Sequence, residues 1–482
     1  MEAGARSAIR SWGNLWREYR RNRLGMLGAV ILAIFVLVAV FAPLMTPYDP
    51  IRDNFIAEPF ALPGWYVIFP QYRDYPTNQV FAIEPTVDAD NWVATVNGSI
   101  KVAGTSRQMS IGFRTTSQET SVSTVELAHR IKYNWAPPLT FIIRFDWSVP
   151  HLDKAAYELD IAWRTPKGNT YVVWTSGFST QTVDKLSVDL DSKGTPFPLK
   201  TDMGLQWYGN VAEFIFSEKG TYELLLIFKF QPQVDGASSA SATVGPLAGR
   251  FPGRVHGVLG TDHIGADLFS QLVYGTRISL IIGVVASLIA VAIGLLVGIT
   301  AGFFGGLVDE GSMRLVDVLL VLPSLPLLFL FSGLFGRSIW NLIFLIGILS
   351  WPGFARVVRA QVLQLKTATF VEAARALGAS GSRIILKHLI PNVMPLAYAT
   401  VALSIPGAII TETALSFLAL GDPTTPSWGR MFYSANAFGA FRELAWWWII
   451  PPGLAITLLS LSFVFIGHAL DEIMNPKLRA RR

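Results

Sequence analysis

The sequence contains no cysteine and few charged residues. Without any Cys among its 482 residues, the chain has no disulfide framework, no thiolate metal site and no cysteine nucleophile. Charged residues make up 15% of the chain, against about a quarter in soluble globular proteins, and 51% of the residues are hydrophobic. The net charge of +5 comes from basic residues gathered in separate segments, which argues against a nucleic-acid-binding surface. This composition indicates a protein that crosses a membrane.

Six apolar stretches are long enough to be membrane-spanning helices, which need about 20 mostly apolar residues. The predicted spans are Leu24–Met45, Arg277–Phe304, Val316–Phe335, Ile339–Phe354, Leu389–Leu420 and Trp446–Leu470. The first stretch could instead be a cleaved signal peptide. It is longer than the usual apolar region of such peptides, and its nearest small-residue site, Val40-Phe41-Ala42, precedes Pro43. An uncleaved first span is therefore preferred.

Three basic segments set the predicted orientation, because Lys and Arg concentrate on the cytoplasmic side of membrane proteins. They are the N-terminal tail (Arg6, Arg10, Arg17, Arg20, Arg21, Arg23), the segment after the fourth span (Arg356, Arg359, Lys366, Arg375, Arg383, Lys387) and the C-terminal tail (Lys477, Arg479, Arg481, Arg482). An even number of crossings places all three in the cytoplasm. The expected protein is a multi-pass protein of the inner (plasma) membrane with cytoplasmic N- and C-termini.

The long region between the first two spans has the period-two pattern of half-buried strands. The stretches "YELDIAWR" (157–164) and "TYELLLIFKF" (221–230) alternate apolar and polar residues. Asn97-Gly98 is a type I′ hairpin signal, and Pro166 to Asn169 form a plausible turn. The Gly-, Ser- and Ala-rich segment Asp235–Gly249 is predicted to be a flexible linker. We predict a β-rich, sandwich-like domain on the extracytoplasmic side.

The aromatic residues of this region admit two interpretations. Five tryptophans could form a platform for a peptide or sugar, or they could pack the core: Trp135, Trp147, Trp163, Trp174 and Trp207. Core packing is favoured, since aromatic residues in strand phase usually face a core. His129 and His151 are isolated in sequence and are interpreted as structural residues.

The stretch "TFVEAARALGASGSRIILKHLIP", between the fourth and fifth spans, is a charged helical segment in an otherwise apolar part of the chain. Thr369 followed by Glu372 is typical of a capping box, so a helix is expected to begin near Phe370. Phe370, Ala374 and Leu377 then share one face of this helix.

The same stretch predicts a sharp turn and a second helix. Gly378 follows the last apolar residue of the first helix, as a C-terminal glycine does. Ser380 or Ser382 can cap a second helix that runs toward Pro391. Periodicity alone leaves open whether this compact element inserts into a groove on a partner or rests on the lipid surface.

The letters "EAARALG" followed by "LIP" resemble the EAA loop of ABC importer permeases. Glu372, Ala373, Ala374, Gly378 and Pro391 stand at the matching positions. In that family the loop holds the coupling helix that docks on the ATP-hydrolysing subunit. The resemblance implies that these five residues couple the chain to an ATPase, and it favours the docked element over the lipid-surface helix.

Four further segments are similar to the dipeptide/oligopeptide/nickel branch of these permeases, in particular to its second permease subunit. They are "GTDHIGADLFSQLVYGTRISL", "AGFFGGLVDEGSMRLVDVLLVLPSLPL", "ETALSFLALGDPTTPSWGRMF" and "WWWIIPPGLAITLLSLSFVFIGHALDEIMNPKLR". The similarity covers nearly all of residues 256–482 and, more weakly, the first fifty. The region between them has no counterpart in the family.

The expected fold is a mainly α, polytopic membrane protein with about six transmembrane helices, the type I ABC importer permease fold, and a β-rich sandwich-like domain inserted after the first helix. The predicted domains are 1–46 (tail and first helix), 47–255 (insert with linker) and 256–482 (permease core with five helices and the EAA loop).

The resemblance implies a permease subunit of an ATP-binding-cassette importer that moves di- or oligopeptides into the cytoplasm. The chain has no Walker A pattern. It is expected to be no enzyme and to bind no cofactor itself. Two partner ATPase subunits would supply ATP and Mg, and the other implied partners are a homologous sister permease, an extracytoplasmic substrate-binding protein and membrane lipid. Two alternatives stay open: the same machinery carrying nickel or another small solute, and a membrane-anchored receptor or enzyme acting through the insert.

Glu412 and Ser416 are the candidates for the translocation path. An ionisable group at membrane depth usually faces a protein interior or an aqueous path. Glu412 could contact the amino terminus of a peptide or make a packing hydrogen bond to a neighbouring helix, and the packing role is favoured.

Three further groups of residues could have structural or functional roles. The charged residues Asp309, Glu310, Arg314 and Asp317 are predicted to form a structural network beside the ATPase. Three prolines within spans could kink helices around the path: Pro323, Pro326 and Pro406. His256 and His263 with Asp262 could suggest a metal site, although their spacing matches no standard one.

Overall fold

The computed structural model describes residues 17–116, 121–233 and 237–474. They divide into two compact units. One, the membrane unit, consists of the residues up to Asn54 and from Asp267 onward, and the other, the insert, spans Phe55–Ala266. The basic residues Arg6 and Arg10 and those of the C-terminal tail, Lys477, Arg479, Arg481 and Arg482, lie outside the described residues.

The insert begins and ends later than the predicted range 47–255. Residues 256–266 belong to it because they bond to its first residues. The N–H of Phe55 donates to the carbonyl of Ile264 (3.0 Å), and that of Gly64 donates to the carbonyl of Gly257 (2.8 Å). These bonds close the two ends of the insert onto each other.

The described part of the membrane unit is helical. Its helices are α1 (Arg23–Met45), α2 (Leu268–Phe304), α3 (Gly306–Val321), α4 (Ser324–Phe335), α5 (Ile339–Lys366), α6 (Thr369–Ala376), α7 (Gly381–Ile384), α8 (Ile390–Phe417), α9 (Trp428–Ala437) and α10 (Trp446–Met474). Five helical stretches are long and apolar enough to cross a membrane: α1, α2, α5, α7 continued by α8, and α10. The bent pair α3–α4 raises the count to six if it is one span, in agreement with the predicted number.

The predicted third span, Val316–Phe335, is not one continuous helix. The chain bends by 90° between α3 and α4. Leu322 is extended (φ −71°, ψ 130°) and Pro323 precedes the first residue of α4. Proline disfavours the helical conformation in the residue before it and has no N–H to donate, so the sequence ends α3 at this point.

Helix α2 packs closely against α5 along a stripe of glycines. A Cβ atom on Gly294, Gly298 or Gly302 would lie 2.6–2.9 Å from Phe354, Val358 or Val362. The spacing of four residues places the three glycines on one face of α2. Small residues at this spacing let two membrane helices approach until their backbones are almost in contact.

A guanidinium group joins α2 to α1. Pro43 lies inside α1 and cannot donate to the carbonyl of Ala39 one turn earlier. The Arg277 side chain donates to that carbonyl from two nitrogens, at 2.9 and 3.1 Å. The charged residue therefore satisfies a backbone group that proline leaves without its helical partner.

The insert is built mainly of strands. They are β1 (Leu62–Pro63), β2 (Gln79–Ile83), β3 (Val93–Asn97), β4 (Ile100–Gly104), β5 (Met109–Thr115), β6 (Ser123–Tyr133), β7 (Ile142–Asp153), β8 (Ala155–Arg164), β9 (Thr170–Thr175), β10 (Val183–Asp191), β11 (Gly220–Pro232), β12 (Ser238–Val244), β13 (Leu247–Phe251) and β14 (Val255–His256). A seven-stranded sheet has the order β2-β13-β7-β12-β5-β4, with β10 also paired to β7, and a five-stranded sheet has the order β3-β6-β11-β8-β9. Strands β1 and β14 form a separate parallel pair.

The two large sheets share one apolar core. Phe113 of β5 and Phe230 of β11 stack with ring centroids 5.4 Å apart, and Trp147 of β7 meets Tyr157 of β8 edge-on at 5.8 Å. These contacts join residues of different sheets, so the predicted sandwich is confirmed. The period-two stretches 157–164 and 221–230 lie in β8 and β11, which pair with each other.

Two predictions for the insert were wrong and one turn was right. Asn97-Gly98 does not close a hairpin, because β3 pairs with β6 in one sheet and β4 with β5 in the other. Gly98, at φ +99°, lies where the chain crosses between the sheets. The predicted turn at Pro166–Asn169 is confirmed, since Thr165 N–H donates to the Asn169 carbonyl (2.8 Å) between the paired β8 and β9.

The predicted linker Asp235–Gly249 is also contradicted. Apart from residues 235–236, which lie outside the described residues, it forms β12 and part of β13. Ala240, Ala242 and Val244 are buried, alternating with Ser and Thr on the other face. The strand is hydrogen-bonded on both sides, to β5 and to β7, so a composition typical of linkers here belongs to an interior strand of the sheet.

The five tryptophans do not form one platform. Trp147 and Trp163 are buried in the core and Trp174 packs against it, as favoured from the sequence. Trp135 and Trp207 are exposed. The Nδ1–H of His129 donates to the Asn91 carbonyl at 2.6 Å.

Candidate coupling loop and translocation cavity

Helix α6 begins one residue before the predicted position and without the predicted cap. The N-cap residue is Ala368, whose carbonyl accepts from the N–H groups of Val371 (2.9 Å) and Glu372 (3.1 Å). Thr369 is the first helical residue, so it cannot act as the N-cap of a box with Glu372. The glutamate instead lies in the first turn, where its charge suits the positive end of the helix dipole.

The turn after α6 has the predicted glycine geometry. Gly378 has φ +80°, and its N–H donates to the Arg375 carbonyl (3.0 Å). The next N–H, of Ala379, donates to the Ala374 carbonyl (3.0 Å). This pair of bonds is a Schellman motif, which satisfies two carbonyls at the helix end and reverses the chain sharply.

The second helix follows at once. The Ser380 hydroxyl accepts from the N–H of Arg383 (3.4 Å), so Ser380 rather than Ser382 is the cap. Residues Ile385–Leu389 form a π-helical segment between α7 and α8. The N–H of Ile390 donates to Ile385, and Pro391 then lies in the first turn of α8, where no N–H is needed.

Helix α6, the turn at Gly378 and α7 together form the candidate coupling loop, and one side of this loop faces outward. Four of the five family-matched residues are exposed and the other, Ala374, is half-buried. Leu377 is 89% exposed and Phe370 41%, so two residues of the predicted apolar face of α6 are largely uncovered by the described residues.

The other side of the loop is anchored in the membrane unit. Val371, Ile384 and Leu389 are buried in an apolar cluster with Val358 and Val362 of α5. The same cluster continues to Ile299 and Val291 of α2 and to Phe354 of α5. A continuous packed core therefore joins the loop to the middle of α2 and α5.

A cavity of about 290 Å³ lies at the far end of this cluster. It is lined by α2 (Ala286, Ser287, Ala290, Val291), α5 (Ile346, Ser350, Phe354) and α8 (Thr400, Ser404, Gly407, Ala408, Thr411). Val291 and Phe354 belong both to the cavity wall and to the cluster that holds the loop. The lining carries five hydroxyl groups and no charge.

The predicted path residues do not line this cavity. Glu412 is buried (2% exposed) and accepts from the Ser416 hydroxyl at 2.7 Å. It lies beside Asp422 and Ser427 in a separate, nearly filled recess. Thr411, one residue earlier, turns to the cavity, because adjacent helical residues point about 100° apart. Ser416 is on the same helix as Glu412, so the predicted packing bond from Glu412 to a neighbouring helix stays a prediction.

The spacing of hydroxyl and small residues on α8 was the signal that sequence reasoning missed. Thr400, Ser404, Gly407 and Thr411 recur at intervals of four, three and four residues. Such spacing marks one helix face, and a polar face in an apolar span points to a protein-lined cavity.

The charged residues of α3 form ion pairs. Arg359 of α5 grips Asp309 from two nitrogens (2.5 and 2.6 Å), Arg356 pairs with Asp317, and Arg314 with Glu310 (2.5 Å). The first two pairs join α3 to α5, and the third lies within α3. All four predicted residues therefore take part in ion pairs, and their position beside an ATPase stays a prediction.

The residues suggested as a metal site, His256, Asp262 and His263, are not grouped as metal ligands. In the described ranges no three His, Cys, Asp or Glu side chains are grouped so that they could hold a metal ion. The Asp262 carboxylate accepts from the N–H groups of Ile264 and Ala266, both at 3.0 Å, and so orders the loop. Burial lowers the pKa of His263, although Asp262 opposes this.

Comparison with known proteins places these features in a family. Residues 294–480 match the family model of the binding-protein-dependent transport system inner membrane component, and residues 11–63 match that of the N-terminal TM domain of oligopeptide transport permease C. The chain belongs to this family of inner-membrane transport permeases, and is a multi-pass membrane protein.

Three curated relatives are similar over about 220 residues. The oligopeptide transport system permease protein OppC of Bacillus subtilis (strain 168) is 38% identical over 46% of this chain and 72% of its own length. The dipeptide transport system permease protein DppC of the same organism is 39% identical over 46% of this chain and 68% of its own. The glutathione transport system permease protein GsiD of Escherichia coli O1:K1 / APEC is 39% identical over 46% and 72%.

Solved structures are more distant. An inward-facing methionine ABC transporter, MetNI, aligns with 42% of this chain and 97% of its own at 20% identity and a TM-score of 0.34. A family 11 carbohydrate-binding module of Clostridium thermocellum aligns with 36% of this chain and 95% of its own at 12% identity and a TM-score of 0.21. At these TM-scores neither likeness decides the fold.

Proposed function

We propose that this chain is one transmembrane subunit of an ATP-binding-cassette importer that moves di- or oligopeptides into the cytoplasm. Relatives with about 38–39% identity are named for oligopeptide, dipeptide and glutathione transport. A cavity lined by hydroxyls and small apolar side chains suits substrates that are polar along the main chain and varied in their side chains.

The energy comes from partner subunits. Two ATPases bind ATP and Mg and dock on the loop through Glu372, Ala373, Ala374 and the turn at Gly378. The exposed Leu377 and Phe370 supply the apolar part of that contact. Pro391 fixes the start of α8, which carries the motion onward. Hydrolysis belongs to the ATPases, and this chain is not an enzyme.

A single observation carries the coupling: the buried side of the loop and the cavity wall share one apolar cluster. Interiors this closely packed transmit a displacement rather than absorb it. A push on α6 and α7 therefore moves Val358 and Val362, and with them Phe354 at the cavity. Coupling of this kind needs two states of the helices that both sites bias.

The remaining partners follow from the family. A homologous sister permease completes the pore, and an extracytoplasmic binding protein delivers the substrate. The loop and both termini face the cytoplasm, and the insert lies outside, where it can receive the binding protein.

The test is reconstitution. The chain is co-expressed with its sister permease and ATPases, purified through a tag on this chain, and placed in vesicles with the binding protein. We expect the ATPases to co-purify with this chain. Labelled trialanine should accumulate in the vesicles only when ATP and Mg are present on the side of the membrane where the ATPases lie. A complex that accumulates nickel but no peptide, or a chain that retains no ATPase, would contradict the proposal.

A further inference from the structure

Four of the five hydroxyl groups of the cavity donate their hydrogen to a carbonyl of their own helix: Ser350 to Ile346 (2.6 Å), Thr400 to Leu396 (2.8 Å), Ser404 to Val401 (3.0 Å) and Thr411 to Gly407 (2.8 Å). A hydroxyl has one hydrogen and two lone pairs, so each of these oxygens still accepts. The α5 and α8 walls therefore present acceptors.

The α2 wall differs. Ser287 belongs to the cavity wall, but its hydroxyl oxygen is enclosed by neighbouring atoms and has no hydrogen-bond partner among the described residues. A bound molecule cannot reach an enclosed oxygen, so α2 adds no polar group to the cavity.

We infer that this cavity holds the main chain of the peptide, through acceptors on α5 and α8 for its N–H or ammonium groups. The inference rests on the proposed function and names what that site recognises. Because the lining has no charge, side-chain charge is not read there. Since the main chain is common to all peptides, this recognition tolerates varied sequences.

The test compares two substrates that differ by one N–H. Trialanine and its analogue with central lactate have the same shape, but in the analogue an ester oxygen replaces one amide N–H. Uptake of each is measured in the reconstituted complex with the parent chain and with Thr400→Val/Thr411→Val. One lost hydrogen bond corresponds to roughly a 2- to 10-fold effect. We expect the parent's preference for the amide, measured as a ratio of kcat/KM values, to fall by about that factor in the variant.

A matched control lies on α8. Thr413 makes the same kind of bond, to Ile409 at 2.9 Å, but does not line the cavity, so Thr413→Val should keep the parent ratio.

The outcomes separate the two proposals. Any discrimination by the binding protein cancels, because the same binding protein serves parent and variant. An unchanged amide-to-ester ratio in Thr400→Val/Thr411→Val overturns the main-chain inference while peptide transport stands. An assembled parent complex that hydrolyses ATP but takes up neither substrate overturns the proposed function itself.

Discussion

At the scale of single residues, the insert contains a carboxyl that burial keeps from ionising easily. Glu58 is 1% exposed, and desolvation raises its pKa above the ordinary value of 4.5. Lys193, 3.4 Å away, favours the charged form but is itself half exposed, and burial prevails. A carboxyl whose pKa is higher in the folded than in the unfolded protein contributes stability that is fully present below pH 4.5. This stability is lost as the pH rises through the folded-state pKa.

Replacing Glu58 should therefore change the pH dependence of insert stability. In the full-length protein, hydrogen exchange of central β11 amides reports opening of the insert. We expect Glu58→Gln to protect these amides more than the parent at pH 8, and the difference to vanish toward pH 4.5. Each unit of pKa shift corresponds to a roughly tenfold change in the opening constant.

Asp88 provides a control of opposite sign. Hydrogen bonds from Thr86 and Asn91 lower its pKa to about 2. The stability it contributes is present above its ordinary pKa of 3.8 and is lost only as the pH falls toward 2. Asp88→Asn should thus reduce protection by a constant factor from pH 8 to 4.5. A Glu58→Gln difference that also stays constant across this range would contradict the assignment to Glu58.

At the scale of elements, the coupling loop depends on one left-handed glycine. Proline at position 378 cannot reach φ +80° and has no N–H for the Arg375 carbonyl. Proline should destabilise the turn by about 3 kcal/mol. Half of that free energy already corresponds to a roughly tenfold change in a rate. We expect Gly378→Pro to leave the complex inserted and able to hydrolyse ATP but to lower peptide uptake per ATP at least tenfold.

Gly378→Asn is the matched variant for this prediction. Asparagine tolerates the left-handed conformation and retains the N–H, so the Schellman turn should survive. Coupling close to the parent's is expected, measured as peptide taken up per phosphate released. Equal coupling in the proline and asparagine variants would show that the turn does not transmit the motion.

The same scale shows what the sequence could and could not predict. The glycine turn, the Ser380 cap and the β8–β9 turn follow from local chemistry that the fold did not override. The Asn97-Gly98 hairpin failed because strand pairing is decided by distant partners, β6 and β5, rather than by the turn. The small residues of β12 have the composition of a linker, and only the pairing with β5 and β7 makes this segment a strand.

The candidate site divides in the same way. The residues proposed for coupling carry a local motif, and their positions could be predicted. The cavity needs three helices distant in sequence, α2, α5 and α8, so only its α8 stripe left a periodic trace. Glu412 was a candidate for the translocation path because it is a lone charge in a span. Its position on α8 instead points its side chain away from the cavity.

At the scale of the whole molecule, the insert can interrupt the permease without displacing its helices. Its two ends are bonded together, by Phe55 to Ile264 and through the β1–β14 pair. Domains whose termini lie close together can be inserted into a loop without changing the distance that the loop must bridge. The insert can therefore lie between α1 and α2 at little cost to the membrane unit.

The bent pair α3–α4 decides the topology. The insert follows α1 and the coupling loop follows α5, so α2, the bent pair and α5 lie between them. If the pair crosses the membrane, three crossings put insert and loop on opposite sides. If it is a re-entrant loop, two crossings put them on the same side. The proposed function requires the first arrangement, because the ATPases and the delivered substrate are on opposite sides.

Single cysteines can distinguish these arrangements, since the parent has none to interfere. Val80 of the insert is 77% exposed, and Ser382 is exposed on the coupling loop. We expect a membrane-impermeant maleimide to label Val80→Cys in right-side-out vesicles and Ser382→Cys only in inverted ones. The cysteine-free parent is the blank, and Ala242→Cys, buried in the insert core, should resist the label in both. Labelling of both exposed sites from the same side would make α3–α4 re-entrant and would leave the loop and the insert on one side of the membrane, where an importer of this kind could not work.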